Sequence, residues 1–277
     1  MKEFHFINVG VSIVSNLGNG CYEVGENLRE HRLSDNEYWQ SLLDNPSFLN
    51  RAFGVLREHP MQISAELNAF LKKTQHLSPE EVEVYLTATR TPVNEICARL
   101  LERFFLEEGY SVYMPREFPG YFLKIHPGEN RAESFARGIS ELLEHLLTLV
   151  RRKREEGYVV YFNATGGFKA HIMAYAVAGF LTSSSVYYLN EEFDDLIILP
   201  PLLYFPTPRE LEVLRFLKQK EEEQVTPHDL EKLWTAYAEE ITNLECLGFV
   251  AFREGDGDAS LEICLTSRGR EMEERLR

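Results

Sequence analysis

The chain opens on an apolar run, residues 4–11 (FHFINVGV), that ends in Gly and Ser and predicts a buried strand followed by a turn. A Gly- and Asn-rich stretch from Leu17 to Gly25 separates it from a long helical pattern over residues 34–75. Pro60 breaks that pattern. Ser34 and Ser64 stand where N-caps belong, and Leu67, Phe70 and Leu71 share an apolar face behind the second. Residues 82–88 (VEVYLTA) alternate as a strand does and stop at Thr89-Arg90-Thr91-Pro92, after which a helix is expected over 93–108 with Gly109 as its end. A short third strand over 110–114 leads into a polar loop rich in Pro and Gly. The loop gives way to an amphipathic helix over 131–155, with Phe135, Ile139, Leu142, Leu146 and Val150 on its apolar side. Strand 158–163 (YVVYFN), a Gly-Gly turn, an apolar helix over 168–181 and strands at 185–189 and 195–199 complete this part.

Strands that alternate with helices imply βαβ crossovers. The expected class is α/β: a Rossmann-like, mostly parallel sheet with helices on both faces. Pro200, Pro201, Pro206 and Pro208 mark a boundary. Beyond it, two helical stretches (207–220 and 227–247) precede two short strands (249–253 and 260–264) and a charged helix. That order outlines a small C-terminal winged helix-turn-helix domain. The expected division is therefore 1–205 and 206–277.

Composition narrows the function classes. With 44% apolar and 26% charged residues among 277, the chain is ordinary for a folded globular protein. No apolar run approaches the roughly 18 residues of a membrane span, and the start enters a strand directly, so a cytoplasmic location is expected without a signal peptide or a membrane partner. The net charge of −15 excludes non-specific coating of duplex nucleic acid, although one local cation and free backbone N–H groups can still hold a small anion. Cys21, Cys97, Cys246 and Cys264 are widely spaced and read as thiols, and the eight histidines form no H-x-x-x-H pair. Neither a metal site nor a cofactor is expected.

In a parallel sheet the ligand crevice lies at the carboxyl ends of strands, near a switch in strand order. Two strand ends stand out: Gly10-Val11-Ser12, and Asn163-Ala164-Thr165-Gly166-Gly167-Phe168-Lys169. A strand, a Gly-Gly turn and a helix form the geometry for an anion at a helix N-terminus, and Lys169 adds a full charge there. The stretch is not a P-loop, and Gly10 begins no G-x-G-x-x-G. The plain alternative is a tight turn with a solvated lysine, and for Ser12 a simple cap. No G-x-S-x-G surrounds Ser12, so contact with a phosphate or a ribose hydroxyl suits it better than nucleophilic attack.

Several stretches, in this order, resemble the CRISPR-associated Rossmann-fold (CARF) proteins of the ring-nuclease branch. They are Val9 to Asn16, Ser64-Ala65-Glu66-Leu67-Asn68, Val84 to Thr89, Phe162 to Lys169, and Val186 to Glu191 with the later Leu199-Pro200-Pro201. The likeness covers roughly residues 1–205, and N-x-T-G-G-F-K is its most specific part. Val11 stands where Thr is commoner in the family, and Arg90 where many relatives carry Asp. The resemblance implies a homodimer that binds cyclic oligoadenylate, cyclic tetra-adenylate by preference, across its twofold axis. It further implies slow cleavage by a metal-independent phosphodiesterase. Ser12 and Lys169 would be catalytic. Ligand contacts would come from Gly10, Val11, Ser15, Asn16, Thr89, Asn163, Thr165, Gly166, Gly167 and Phe168. Arg90 and Arg116 are candidates for further phosphate contacts, with ordinary surface arginines as the alternative.

In many relatives such a sensor drives a toxic nuclease. Here no Arg and His have the Arg-x(4–6)-His spacing of a HEPN ribonuclease, and Asp258…Glu262-Ile263-Cys264 lacks the Lys of a restriction-type site. A winged helix would suggest DNA, but residues 207–277 hold 10 Lys/Arg against 17 Asp/Glu. The would-be reading helix, Thr235 to Gly248, carries Glu239, Glu240 and Glu245 and no cation, which disfavours DNA binding. The competing reading is a non-catalytic, ligand-gated transcription regulator.

Overall fold

The computed structural model describes residues 2–275 except 21, 116–129, 191, 193, 200–203, 205, 224–226 and 255–260. The chain divides into two compact units, residues 1–203 and 204–277. The first holds six strands: β1 (Glu3–Val9), β2 (Val82–Ala88), β3 (Ser111–Tyr113), β4 (Val159–Asn163), β5 (Ser185–Asn190) and β6 (Asp195–Leu199). Its helices are α1 (Ser12–Asn19), α2 (Asn36–Leu43), α3 (Pro46–Glu58), α4 (Pro60–Ile63), α5 (Ala65–Thr74), α6 (Pro92–Glu107), α7 (Arg131–Glu155) and α8 (Lys169–Leu181). The strand order is β3-β2-β1-β4-β5-β6, parallel throughout except for β6, which runs antiparallel to β5. This is the α/β, Rossmann-like class expected from the pattern.

The two-residue period of β1 decides which helices cover which face. Ile7 and Val9 join a core with α1 to α6, including Trp39, Phe48, Leu67 and Leu100. Phe4 and Phe6 join the opposite core with α7 and α8, through Leu142, Leu146 and Tyr175. Phe6 stacks on Phe162 of β4 with ring centroids 4.7 Å apart, which ties the central strands together on that side. Truncating either ring to Ala would cost about 3–5 kcal/mol.

Local chemistry sets the helix starts. Ser64 caps α5 as expected, its Oγ accepting Leu67 N–H at 3.1 Å. For α2 the cap is Asp35 rather than Ser34, because the Asp35 carboxylate reaches Tyr38 N–H at 3.2 Å. Asn45 with Pro46, and Thr91 with Pro92, begin α3 and α6 with a side-chain acceptor and a residue whose missing N–H costs nothing. Helix α1 lies where the pattern shows only a turn and a Gly/Asn-rich stretch. Asn16, Gly18 and Asn19 are poor helix formers, but burial of Ile13, Val14 and Leu17 overrides them.

The second unit comprises α9 (Pro208–Glu223), α10 (Pro227–Cys246), the antiparallel pair β7 (Val250–Glu254) and β8 (Leu261–Leu265), and α11 (Ser267–Arg275). Val213, Leu217, Leu233, Ile241, Leu244, Phe249 and Leu265 form its core. Tyr237 has non-helical backbone angles (φ −139, ψ 29), so α10 is kinked there into two segments.

Candidate functional site

The chain leaves β1 toward β2 and β3 on one side and returns to β4 and β5 on the other. The order therefore reverses between β1 and β4, which pair with each other. Their carboxyl ends, Gly10-Val11-Ser12 and Asn163 to Lys169, meet at this switch point, where open α/β sheets bind ligands. The approach is close: a Cβ added to Gly10 would lie 2.5 Å from Gly167 N.

A buried carboxylate holds the two ends in place. Glu66, in the first turn of α5, is only 1% exposed. Its Oε1 accepts Gly10 N–H at 2.7 Å, and its Oε2 accepts the hydroxyls of Ser12 at 2.6 Å and Ser64 at 2.8 Å. Its backbone oxygen accepts Asn163 Nδ2 at 3.0 Å. Short, charge-assisted bonds of this kind, with the positive end of the α5 dipole, offset the cost of burying the charge. A Cβ on Gly166 would sit 1.9 Å from Glu66 Oε1, so the turn packs directly on the carboxylate.

The Gly-Gly turn is fastened from three other directions. Asn8, fully buried on β1, donates to Gly166 O at 2.9 Å and is itself approached by Thr87 Oγ1 at 3.4 Å. Asn163 Oδ1 accepts Thr165 N–H at 3.1 Å, and Thr165 Oγ1 accepts Leu189 N–H at 3.1 Å. Gly167 turns through φ +99, a left-handed value, with Asn8 filling the space a side chain would need. The result is a preorganised loop that delivers Phe168 and Lys169 to the start of α8. Phe168 is the N-cap of α8 and supplies no side-chain hydrogen bond to it. The first N–H groups of α8 thus lack a side-chain cap, and Lys169, exposed beside them, has no ion-pair partner among the described residues.

The other expected contacts divide. Val11 is the N-cap of α1, without a side-chain bond, and Ser15 N–H returns to Val11 O at 3.0 Å. Asn16 spends its amide on Gln62 O and Ile63 O, closing the end of α4. Thr89 is buried and accepts from Asn94 Nδ2, whereas Arg90, next to it at the end of β2, is exposed. Arg116 lies outside the described residues. Glu66 and Asn8 are the residues sequence reasoning misses. An acid two positions after a Ser cap looks like a routine dipole partner, and a lone Asn inside a strand carries no motif.

Chemically, the site offers one fixed hydroxyl, one free ammonium group and uncapped backbone donors around a rigid turn. Such a set suits a phosphate with a neighbouring hydroxyl. Among the described residues there is no group of three or more His, Cys, Asp or Glu arranged to hold a metal ion, and no helix long and apolar enough to cross a membrane.

Among solved structures, the chain is similar to Can2 from Sulfobacillus thermosulfidooxidans in complex with cyclic tetra-adenylate, at 10% identity and a TM-score of 0.32. That alignment covers 98% of this chain and 63% of Can2, so the chain spans less than two thirds of that protein's length. The family model described as CRISPR-associated protein (Cas_APE2256) matches residues 61–202, 142 of the 277 residues. The match takes in α5, β2 and the whole Asn163-to-Lys169 turn, and the chain belongs to this CRISPR-associated family, which is of the CARF type.

Proposed function

We propose that this protein is a ring nuclease: it binds cyclic oligoadenylate, cyclic tetra-adenylate in first place, and cleaves it slowly in the same pocket. The products are linear di-adenylates with 2′,3′-cyclic phosphate ends, and the consequence is termination of type III CRISPR signalling. The observation that carries this reading is the unpaired Lys169 at the uncapped start of α8, across the switch point from the Ser12 hydroxyl.

RNA brings its own nucleophile, the ribose 2′-hydroxyl, beside each phosphate. The protein has to rotate that hydroxyl into line and stabilise charge on the phosphorane, which needs no metal. Lys169 with the N–H groups of Gly167 and Phe168 would hold the phosphate oxygens, while Asn163 and Thr165 keep the turn in shape. The 2′-oxygen bonds to phosphorus as the bond to the 5′-oxygen breaks. No side chain is committed as a strong base, in keeping with slow turnover.

A ring of four identical nucleotides shares the twofold axis of an isologous dimer. One feature supports a homodimer: Met173, Val177 and Leu181 lie four residues apart on α8 and form an exposed apolar stripe, Met173 being 69% exposed. The kink at Tyr237 followed by the β7–β8 pair supports a winged helix-turn-helix for the second unit. That outline also favours the second reading, a ligand-gated transcription regulator. Against it stand Glu239, Glu240 and Glu245 on the segment after the kink, where phosphate contacts call for cations.

The test is radiolabelled cyclic tetra-adenylate incubated in EDTA. Wild type should yield di-adenylates, and Lys169→Ala should slow cleavage about 100- to 1,000-fold. An intact ring with wild type, together with a promoter-DNA gel shift, would reverse the order of the two readings.

A further inference from the structure

We infer that Ser12 meets the ring only as a hydrogen-bond acceptor, that its partner is a ribose 2′-hydroxyl rather than a phosphate, and that Glu66 is the positioning residue that makes it so. The inference rests on reading the pocket as a cyclic oligoadenylate site and goes further, assigning the two halves of the substrate to the two strand ends.

A serine hydroxyl has one proton and two lone pairs. The Ser12 proton is committed: Oγ lies 2.6 Å from Glu66 Oε2, the length of a charge-assisted O–H···O bond. Glu66 cannot reverse that bond while ionised, because a carboxylate only accepts. Its surroundings keep it in that role, since Gly10 N–H and the Ser64 hydroxyl also donate to it. Ser64 has no choice of direction either, because its oxygen already accepts Leu67 N–H as the cap of α5. One lone pair of Ser12 faces Ala65 N–H at 3.3 Å. What remains toward a ligand is a single lone pair on an oxygen backed by a negative charge.

That remaining position repels acceptors. Phosphodiester oxygens are ionised and accept only, so a phosphate at Ser12 would set acceptor against acceptor with the Glu66 charge behind. An adenylate offers two kinds of donor, the 2′-hydroxyl and the adenine 6-amino group. The phosphate belongs instead with Lys169 and the α8 N-terminus at the end of β4. A 2′-hydroxyl on the same nucleotide, one ribose edge away, then falls to the end of β1. Donating to Ser12 turns its proton away from phosphorus and leaves a lone pair to face it. The acceptor-only Ser12 thereby sorts the ring's hydroxyl from its phosphate before any bond changes.

The test compares binding of cyclic tetra-adenylate, measured before turnover, with its 2′-fluoro analogue, which matches the hydroxyl in size but cannot donate. Wild type should bind the hydroxyl ring about tenfold more tightly, the effect of one donor lost against a buried acceptor. Ser12→Ala should bind both rings equally. In Glu66→Gln the amide nitrogen can donate to Ser12, freeing the Ser12 proton, and the preference should collapse to within about threefold. A purely structural Glu66 would weaken both rings alike and leave their ratio at the wild-type value, which would overturn the inference. So would a wild-type ratio near one, or a preference lost only with a ring lacking the 6-amino group; neither result needs a folded Glu66 variant. Failure of wild type to bind either ring removes the proposed function and this inference together, whereas tight binding with equal affinities removes this inference alone.

Discussion

Two glutamates, one in each unit, are buried in the first turn of a helix, yet they do different work. Glu66 is 1% exposed and Glu210, on α9, is 2% exposed. Glu210 closes a reciprocal capping box, accepting Thr207 N–H at 2.7 Å while Thr207 Oγ1 accepts Glu210 N–H at 3.2 Å. Tyr204 Oη at 2.7 Å and Asn243 Nδ2 supply its other oxygen. Those donors serve the packing of the second unit, and Tyr204 itself lies against Phe249 of that core. Around Glu66, by contrast, two donors are the ends of the machinery: Gly10 at the close of β1 and Ser12 at the opening of α1. Burial and hydrogen bonding alone do not mark a functional carboxylate. What distinguishes one is where its donors lead.

Removing each carboxylate is the strongest way to break that comparison. Glu66→Ala strands Gly10 N–H and two hydroxyls, and Glu210→Ala strands Thr207 N–H, Tyr204 and Asn243, so each should destabilise its own unit by about 3–4 kcal/mol. The two tryptophans, Trp39 on α2 and Trp234 on α10, report the units separately in single-tryptophan backgrounds under denaturant. Ring binding should be lost with Glu66→Ala and keep its wild-type affinity in Glu210→Ala wherever that variant is folded. Equal loss of ring affinity from both would show that the contrast has no functional content.

The turn on Glu66 sharpens the contrast at the next level of energy. Gly167 and Gly248 both have positive φ, +99 and +73, but a Cβ on Gly167 would lie 1.9 Å from Asn8 Nδ2, whereas nothing lies within 4 Å at Gly248. Gly248→Ala therefore carries backbone strain alone, about 1 kcal/mol, and Gly167→Ala adds overpacking for a total of about 3 kcal/mol. Denaturation midpoints of the two variants check this. Similar losses would mean that the turn yields as easily as a surface helix end.

How much of this was legible beforehand follows from the reach of each interaction. The strands and the long helices were readable because alternation and helical period lie within a few residues of each other, as in VEVYLTA or the 131–155 stripe. The Gly-Gly turn and Lys169 were readable for the same reason. Helix α1 was not, since its residues favour a loop and only burial of Ile13, Val14 and Leu17 against other elements makes it a helix. Glu66 was hidden because its partners Gly10 and Ser12 lie 56 and 54 residues away in sequence, and Asn8 because its acceptor, Gly166 O, lies 158 residues away. Thr89 and Asn16 illustrate the converse. Their positions at strand and helix ends suggested ligand contacts, and the folded chain engages both side chains internally, with Asn94 and with the end of α4.

The smallest expected effect is a separation of the two units along the pH axis. Fully buried His5 bonds Glu3 Oε2 through Nε2 at 2.8 Å and Tyr187 Oη through Nδ1 at 2.9 Å. Burial pushes its imidazole below the ordinary value, outweighing the pull of Glu3 in the other direction. Its stability contribution is thus complete above the unfolded value of about 6.5 and is lost as pH falls from there toward the folded one. At Glu210 burial works against ionisation, but the bonds from Tyr204, Thr207 and Asn243 outweigh it and hold the carboxyl below the usual range. That contribution is complete above the unfolded value of about 4.3 and is lost only as pH falls further through the folded value. Each group imposes a slope of at most about 1.4 kcal/mol per pH unit. Between pH 7 and 5 the Trp39 transition should therefore weaken while the Trp234 transition holds, and Glu210→Gln should flatten the latter's fall below pH 4–5. Simultaneous weakening of both transitions from pH 7 downward would mean that the acid response of the second unit is not set by its capping carboxylate.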